Sequence, residues 1–101
     1  MIPSQNGHLF EIVVSQHNLN ILKQIQSEEI KKGKGKQFLD ALRALNDRLR
    51  NDPKGFGEAL YRLPALNQVV YVAVVTPLIV HYGIHEEKPL VFIRWFQATS
   101  D

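Results

Sequence analysis

Cysteine is absent from this chain of 101 residues, so neither a disulfide framework nor a thiolate metal site can be built from it. No hydrophobic run approaches the ~20 residues that cross a bilayer. The longest, Val69 to Val80, is broken at Thr76-Pro77. The opening MIPSQNGHLFEIVVS has no basic stretch and carries Glu11 inside its apolar patch, which argues against a secretory signal or a transit peptide. These absences predict a soluble, cytoplasmic protein with no membrane contact. Charge of one sign is also scarce: 12 Lys and Arg stand against 10 Asp and Glu, a formal net charge of +2. The excess lies before Pro53, where eight basic residues face six acidic ones; the remainder holds four of each. The one dense basic cluster is KKGKGK, Lys31 to Lys36. It reads as a solvated loop or as a phosphate contact of the kind that displaces counterions from a nucleic acid. It is not a phosphate-binding loop, because GKGKQF lacks the GxxxxGK[ST] spacing and follows a helix rather than a strand.

The length predicts a single domain over residues 1–101 with one hydrophobic core. Leu9 to Val14 reads as a first strand, with Phe10, Ile12 and Val14 on one face. A helix follows, capped by Ser15 or Asn18, with Leu19, Leu22, Ile25 and Ile30 along one stripe; Glu28 and Glu29 read as surface charge. Gly33 and Gly35 end it. A second helix near Lys36 to Arg50 carries Phe38, Leu42, Leu45 and Leu49 on one side, and it stops at Asn51-Asp52-Pro53 because proline disfavours helical geometry in the residue before it. Beyond the PKGFGEA loop and LYRLPAL come VVYVAVV, LIVHYGI and LVFIRWF, separated by breaks short enough for hairpins. The expected order is β-α-α-β-β-β, an α+β fold whose antiparallel sheet carries a helical hairpin on one face.

The stretch LIVHYGIHEEKPLVFIRWF holds the chemistry-bearing residues. His81 and His85 are four apart, a spacing that on a helix would bring both over one metal ion. Here the alternation of apolar and other residues argues strand, and about 3.3 Å of rise per residue puts them about 13 Å apart, too far to share a metal. No metal and no other cofactor is expected. If Val91, Ile93 and Trp95 face the helices, then Phe92, Arg94 and Phe96 face away, with His81 opposite Phe92 and diagonal to Arg94. A one-residue slip would send them to opposite faces; Trp95 would then be an interface anchor instead of a core residue. The outward face, with Val70, Val72, Val74 and Ile79, is largely apolar, which predicts that another chain, a second copy in a homodimer, or the chain's own tail covers it. The plain alternative for both histidines is that they are ordinary strand residues, one of them solvated at a hairpin tip.

The layout, together with LRNDPKGFGEALYRLPAL, VVYVAVVTPLIVHYGIH and LVFIRWF, resembles the RelE/ParE superfamily of small bacterial toxins from type II toxin-antitoxin systems. The resemblance spans nearly the whole chain. It implies a toxin held inactive by an antitoxin protein that wraps it, inhibiting translation as a ribosome-dependent mRNA endoribonuclease, or acting on DNA gyrase as ParE-like members do. For the first activity it nominates His81 and His85 as acid and base, Arg94 and Arg62 for phosphate charge, Lys54 as an accessory cation and Tyr61 to stack on a base. Family members commonly carry an arginine shortly before the tyrosine that corresponds to Tyr82; this chain has Leu78-Ile79-Val80-His81 there. That difference favours either a diverged toxin or a non-catalytic binding module on the same scaffold.

Overall fold

A computed structural model of the chain describes residues 9–99. The first strand, β1 (Glu11–Val13), is short, and its flanking Phe10, Ile12 and Val14 pack against the core as their alternation predicts. Helix α1 (Gln16–Lys31) starts where Ser15 Oγ accepts the Asn18 N–H at 3.1 Å, satisfying one orphan donor of its first turn. It ends ahead of Gly33, whose φ of +77° a residue with a side chain adopts only under strain. Helix α2 (Gly35–Asn51) buries Phe38, Ala41, Leu45 and Leu49, a stripe at three- and four-residue spacing. One short helix, α3 (Pro53–Phe56), follows, with Pro53 in its first turn and Asp52 accepting from the Gly55 N–H at 3.2 Å. Among the described residues, no helix is long and apolar enough to cross a membrane.

Four more strands complete the sheet: β2 (Glu58–Leu63), β3 (Gln68–Val75), β4 (Leu78–His85) and β5 (Leu90–Ala98). The spatial order is β1-β5-β4-β3-β2. The fold is therefore α+β, with both helices of the hairpin against one face of the sheet. It differs from the expected β-α-α-β-β-β antiparallel arrangement in two respects. LYRLPAL contributes an additional edge strand, β2, and β1 runs parallel to β5, making the sheet mixed. Leu60, Leu63 and Leu66, spaced by threes, hide the strand's alternation, because Leu60 is the extra residue of a β-bulge against β3.

The helix-facing side of the sheet holds Ala73 from β3, Leu78, Val80, Tyr82 and Ile84 from β4, and Val91, Ile93 and Phe96 from β5, all buried with Phe38, Leu45 and Leu49. Tyr82 is fully buried, and its hydroxyl donates to the Pro53 carbonyl at 2.8 Å. Its ring stacks with those of Tyr71 and Phe56, and the Arg48 guanidinium lies over the Phe56 ring. The column fastens the α2–α3 corner to the middle of the sheet.

The last strand departs from the expected alternation at a single point. His81 pairs with Trp95 and Tyr82 with Ile93, so Arg94 is the extra residue of a second bulge. Parity reverses there: Trp95 turns outward and is 53% exposed, while Phe96 turns under the helices and is 5% exposed. The assignment of Trp95 to the core and Phe96 to the outer face is thus corrected, and the residue opposite Phe92 is Gly83, not His81.

Asn18 explains how the bulge is held. It is buried in α1, and its Nδ2 donates at 3.3 Å to the carbonyl of Ile93, the residue immediately before the extra one. Glu29, expected on the surface, is only 2% exposed; it accepts an ion pair from Lys32 Nζ at 3.2 Å beneath the turn between the helices. Because a buried carbonyl left without its donor costs ~1–3 kcal/mol, Asn18→Ala is expected to lower stability by about that amount. Urea denaturation checks it, and an unchanged midpoint would show that the Ile93 carbonyl finds another donor.

Candidate functional site

The face of the sheet turned away from the helices is built in rows. Tyr61, Val70, Gly83 and Phe92 lie side by side across β2, β3, β4 and β5; Val72, His81 and Trp95 form the next row, and Val74 and Ile79 the one beyond. A concavity of about 640 Å³ opens on this face, with Val70 and Phe92 in its floor and Leu60, Tyr61, Arg94 and Trp95 around it. Leu60, Tyr61, Val74 and Trp95 are each about half exposed, so the surface is apolar and aromatic where it meets solvent.

Three of the residues singled out in the sequence meet here: His81, Arg94 and Tyr61. The His81 imidazole stacks on the Trp95 indole with ring centres 5.1 Å apart. Its Nδ1 is sealed from solvent with no hydrogen-bond partner, which leaves Nε2 as the nitrogen that can meet a ligand. Arg94 stands exposed at the bulge, without an ion pair among the described residues. Being the extra residue, it is set off from the ladder; this aims a cation at the concavity while Ile93 and Phe96 remain in the core.

The other three lie elsewhere. His85 closes the β4–β5 hairpin: its Nδ1 accepts the backbone N–H groups of Glu87 and Lys88, each at 3.1 Å. That nitrogen serves the turn, and the strand's rise leaves the ring about 13 Å from His81. Arg62 sits opposite Val69, on the helix-facing side, and makes a bidentate pair with Glu86 at 2.6 and 2.9 Å. The hydrogen bonds of this pair, more than its charge attraction, raise the guanidinium pKa and hold the Glu86 carboxyl below its ordinary range. A guanidinium already occupied in both forks is a poor phosphate ligand. Lys54 lines a different concavity with Tyr71, Ile84, His85 and Glu86. Arg62 and Lys54 are therefore separated from Arg94 by the sheet itself.

Two further residues belong to the site. Trp95, expected in the core and at an interface only after a register slip, is turned outward by the bulge, and Gln68 was passed over by sequence reasoning. Gln68, at the start of β3, is 7% exposed and lays its amide over Gly83; a Cβ at position 83 would overlap Oε1. The signal for Gln68 was available, since an isolated glycine within a strand marks a close approach by another group. Among the described residues, no group of three or more His, Asp or Glu is gathered as a metal site.

The protein's class is thus given by its architecture: an α+β fold with a helical hairpin on one face of a mixed sheet and an open aromatic concavity on the other. No family model matches the chain, and neither a curated protein nor a solved structure matches it.

Proposed function

We propose that the outer sheet face binds single-stranded RNA, and that the chain is the toxin of a type II toxin-antitoxin pair, cutting messenger RNA on the ribosome without a metal ion. The observation that carries the reading is the convergence of Tyr61, Trp95, His81 and Arg94 on one concavity of an open sheet. Aromatic rings that are half exposed offer stacking platforms worth ~1–3 kcal/mol per base. Arg94 supplies the cation for the phosphate between bases. The helical hairpin followed by antiparallel strands β2 to β5 is consistent with RelE/ParE topology. In the absence of RNA, the antitoxin's apolar segment covers the same face.

The cleavage step uses the substrate's own 2′-hydroxyl. The His81 imidazole takes that proton as the 2′ oxygen attacks phosphorus. The bond from phosphorus to the 5′ oxygen breaks, leaving a 2′,3′-cyclic phosphate, and the departing 5′ oxygen takes a proton from water. Arg94 offsets the charge that gathers on the phosphoryl oxygens. Expression of the chain in bacteria is expected to arrest growth, and messenger RNA in a translating extract to be cut. His81→Ala and Arg94→Ala should each slow cutting by roughly 10²-fold or more, whereas Arg62→Ala and His85→Ala should leave it within a few-fold. Cutting that survives the His81→Ala, Arg94→Ala double variant removes both from the mechanism.

One observation favours a second reading. With His85 engaged by its turn, His81 is the single imidazole at the concavity among the described residues, and none of them places a second acid there to protonate the leaving oxygen. A toxin that binds without cutting, as a gyrase-directed member would, needs no such group. Growth arrest with intact messenger RNA and stalled gyrase would decide for it.

A further inference from the structure

Gln68 and Gly83 are unaccounted for by packing alone. A glycine within a strand weakens it, and a buried side-chain amide with an unmet oxygen is a cost that native proteins rarely carry. Both occur here, one on top of the other: the amide of Gln68, which lines the concavity, covers bare Gly83 and is 7% exposed, with Oε1 sealed and without a partner. His81 adds a second unmet atom, Nδ1, two positions along β4 from Gly83. Two unsatisfied polar side chains, separated by about 7 Å of strand, line the same space as the Tyr61 ring.

We infer that Gln68 is the specificity-determining residue of a nucleobase subsite over Gly83, and that the base it selects is adenine. This deepens, and rests on, the RNA reading above. The terminal torsion of a glutamine is broad, and with no side chain at position 83 the amide can lift off the sheet so that both of its polar atoms face the concavity. It then offers an acceptor and a donor in one plane. Adenine presents the complement, its N6 amino group beside N7, on an edge that stays free in a single strand. Guanine presents two acceptors on the corresponding edge and can meet the amide only through O6 and N1–H on another, which sets its ring differently against Tyr61; uracil can meet the amide through N3–H and O4 but has only a pyrimidine ring to stack. Cytosine shares one donor-acceptor edge but has a smaller ring to stack on Tyr61. The sealed oxygen gains its missing hydrogen bond only when the base arrives, so the penalty carried by the empty site becomes discrimination in the filled one.

Trp95 is the only tryptophan in the chain and borders the concavity, so its fluorescence reports occupancy. The full chain is titrated with hexamers of rA, rC, rG and rU at fixed salt. Oligo-rA is expected to bind about tenfold or more tighter than the others. Gln68→Leu, which keeps the volume and removes the amide, should bring rA to the level of rU while leaving rU binding unchanged. Because a substitution at a buried position can unfold the protein, the wild type is also titrated with oligomers of 7-deazaadenine and of purine lacking the N6 amino group; each should lose most of the rA advantage. Binding with no preference for rA, a preference for rC, or full affinity for both analogues overturns the adenine subsite and leaves the RNA reading standing. No fluorescence response to any oligomer, confirmed by gel shift, overturns both.

Discussion

Gly57→Ala is expected to be the most damaging single methyl group that can be added to this chain. Gly57 has φ of −110° and ψ of −170°, an extended backbone open to any residue, so conformational freedom is not what position 57 requires. Space is. A Cβ there would stand 2.5 Å from the Val72 carbonyl oxygen and 2.7 Å from the Tyr82 hydroxyl. Neither obstacle can swing aside: one is the backbone of β3, the other the tip of a fully buried ring already bound to the Pro53 carbonyl. Relief requires β2 to move away from β3, or α3 away from Tyr82. Overpacking of that kind costs about 3 kcal/mol or more, out of a total stability of roughly 5–15 kcal/mol for a domain. Calorimetry should show Tm lowered by about 10–20 °C. An unaltered Tm would mean that the α3–β2 corner shifts freely and does not anchor the sheet.

The second large effect is alkaline loss of stability, set by Tyr82. Burial disfavours its phenolate and pushes its pKa to about 12 in the folded protein, from 10.0 for a free side chain; the Gly57 N–H opposes the shift only in part. Folded protein therefore holds a proton that the unfolded chain has released in the interval between these values. The contribution is complete below pH 10 and drains away as pH rises toward 12, at about 1.4 kcal/mol per pH unit, or about 2–3 kcal/mol over the interval. Tyr82→Phe should cost ~1–3 kcal/mol at pH 8, where the Pro53 carbonyl loses its donor, yet fall less steeply than wild type from pH 10 to 12. Urea midpoints at pH 8, 10 and 11 give both numbers. Parallel slopes in the two proteins would assign the alkaline transition to another group.

Much of the architecture was legible because it follows from periodicity. The alternation at Phe10, Ile12 and Val14, the capping serine at 15, the stripe of α2 and the proline stop at 53 each have a local cause, and each is where local physics places it. The assignment of Tyr82 to the core and His81 to the open face was of the same kind. What could not be read depends on distant partners. The bulge at Arg94 has no signature in LVFIRWF; it is held by Asn18, 75 positions away. From that one residue follows the exchange of Trp95 with Phe96, whereas the change of partner for His81 comes first from the hairpin, whose ladder is set two residues from the expected register so that Gly83 faces Phe92, and then from the bulge, which brings Trp95 opposite His81. Likewise, nothing near Arg62 shows that Glu86 will claim it, and nothing near His85 shows that two backbone N–H groups will. Two of the six nominated residues were thus diverted by neighbours that only the folded chain brings close.

The parallel pairing of β1 with β5 has a kinetic meaning. Helices and hairpins close over short stretches of chain, whereas this ladder and the Asn18 clamp each join segments some seventy or more positions apart, and such contacts form slowly because the intervening loop must first be gathered. Both converge on the strand that shapes the aromatic concavity. The helical hairpin and the β3–β4 pair are thus expected to mature first, with the recognition surface assembled last and, on local opening, the earliest to disappear.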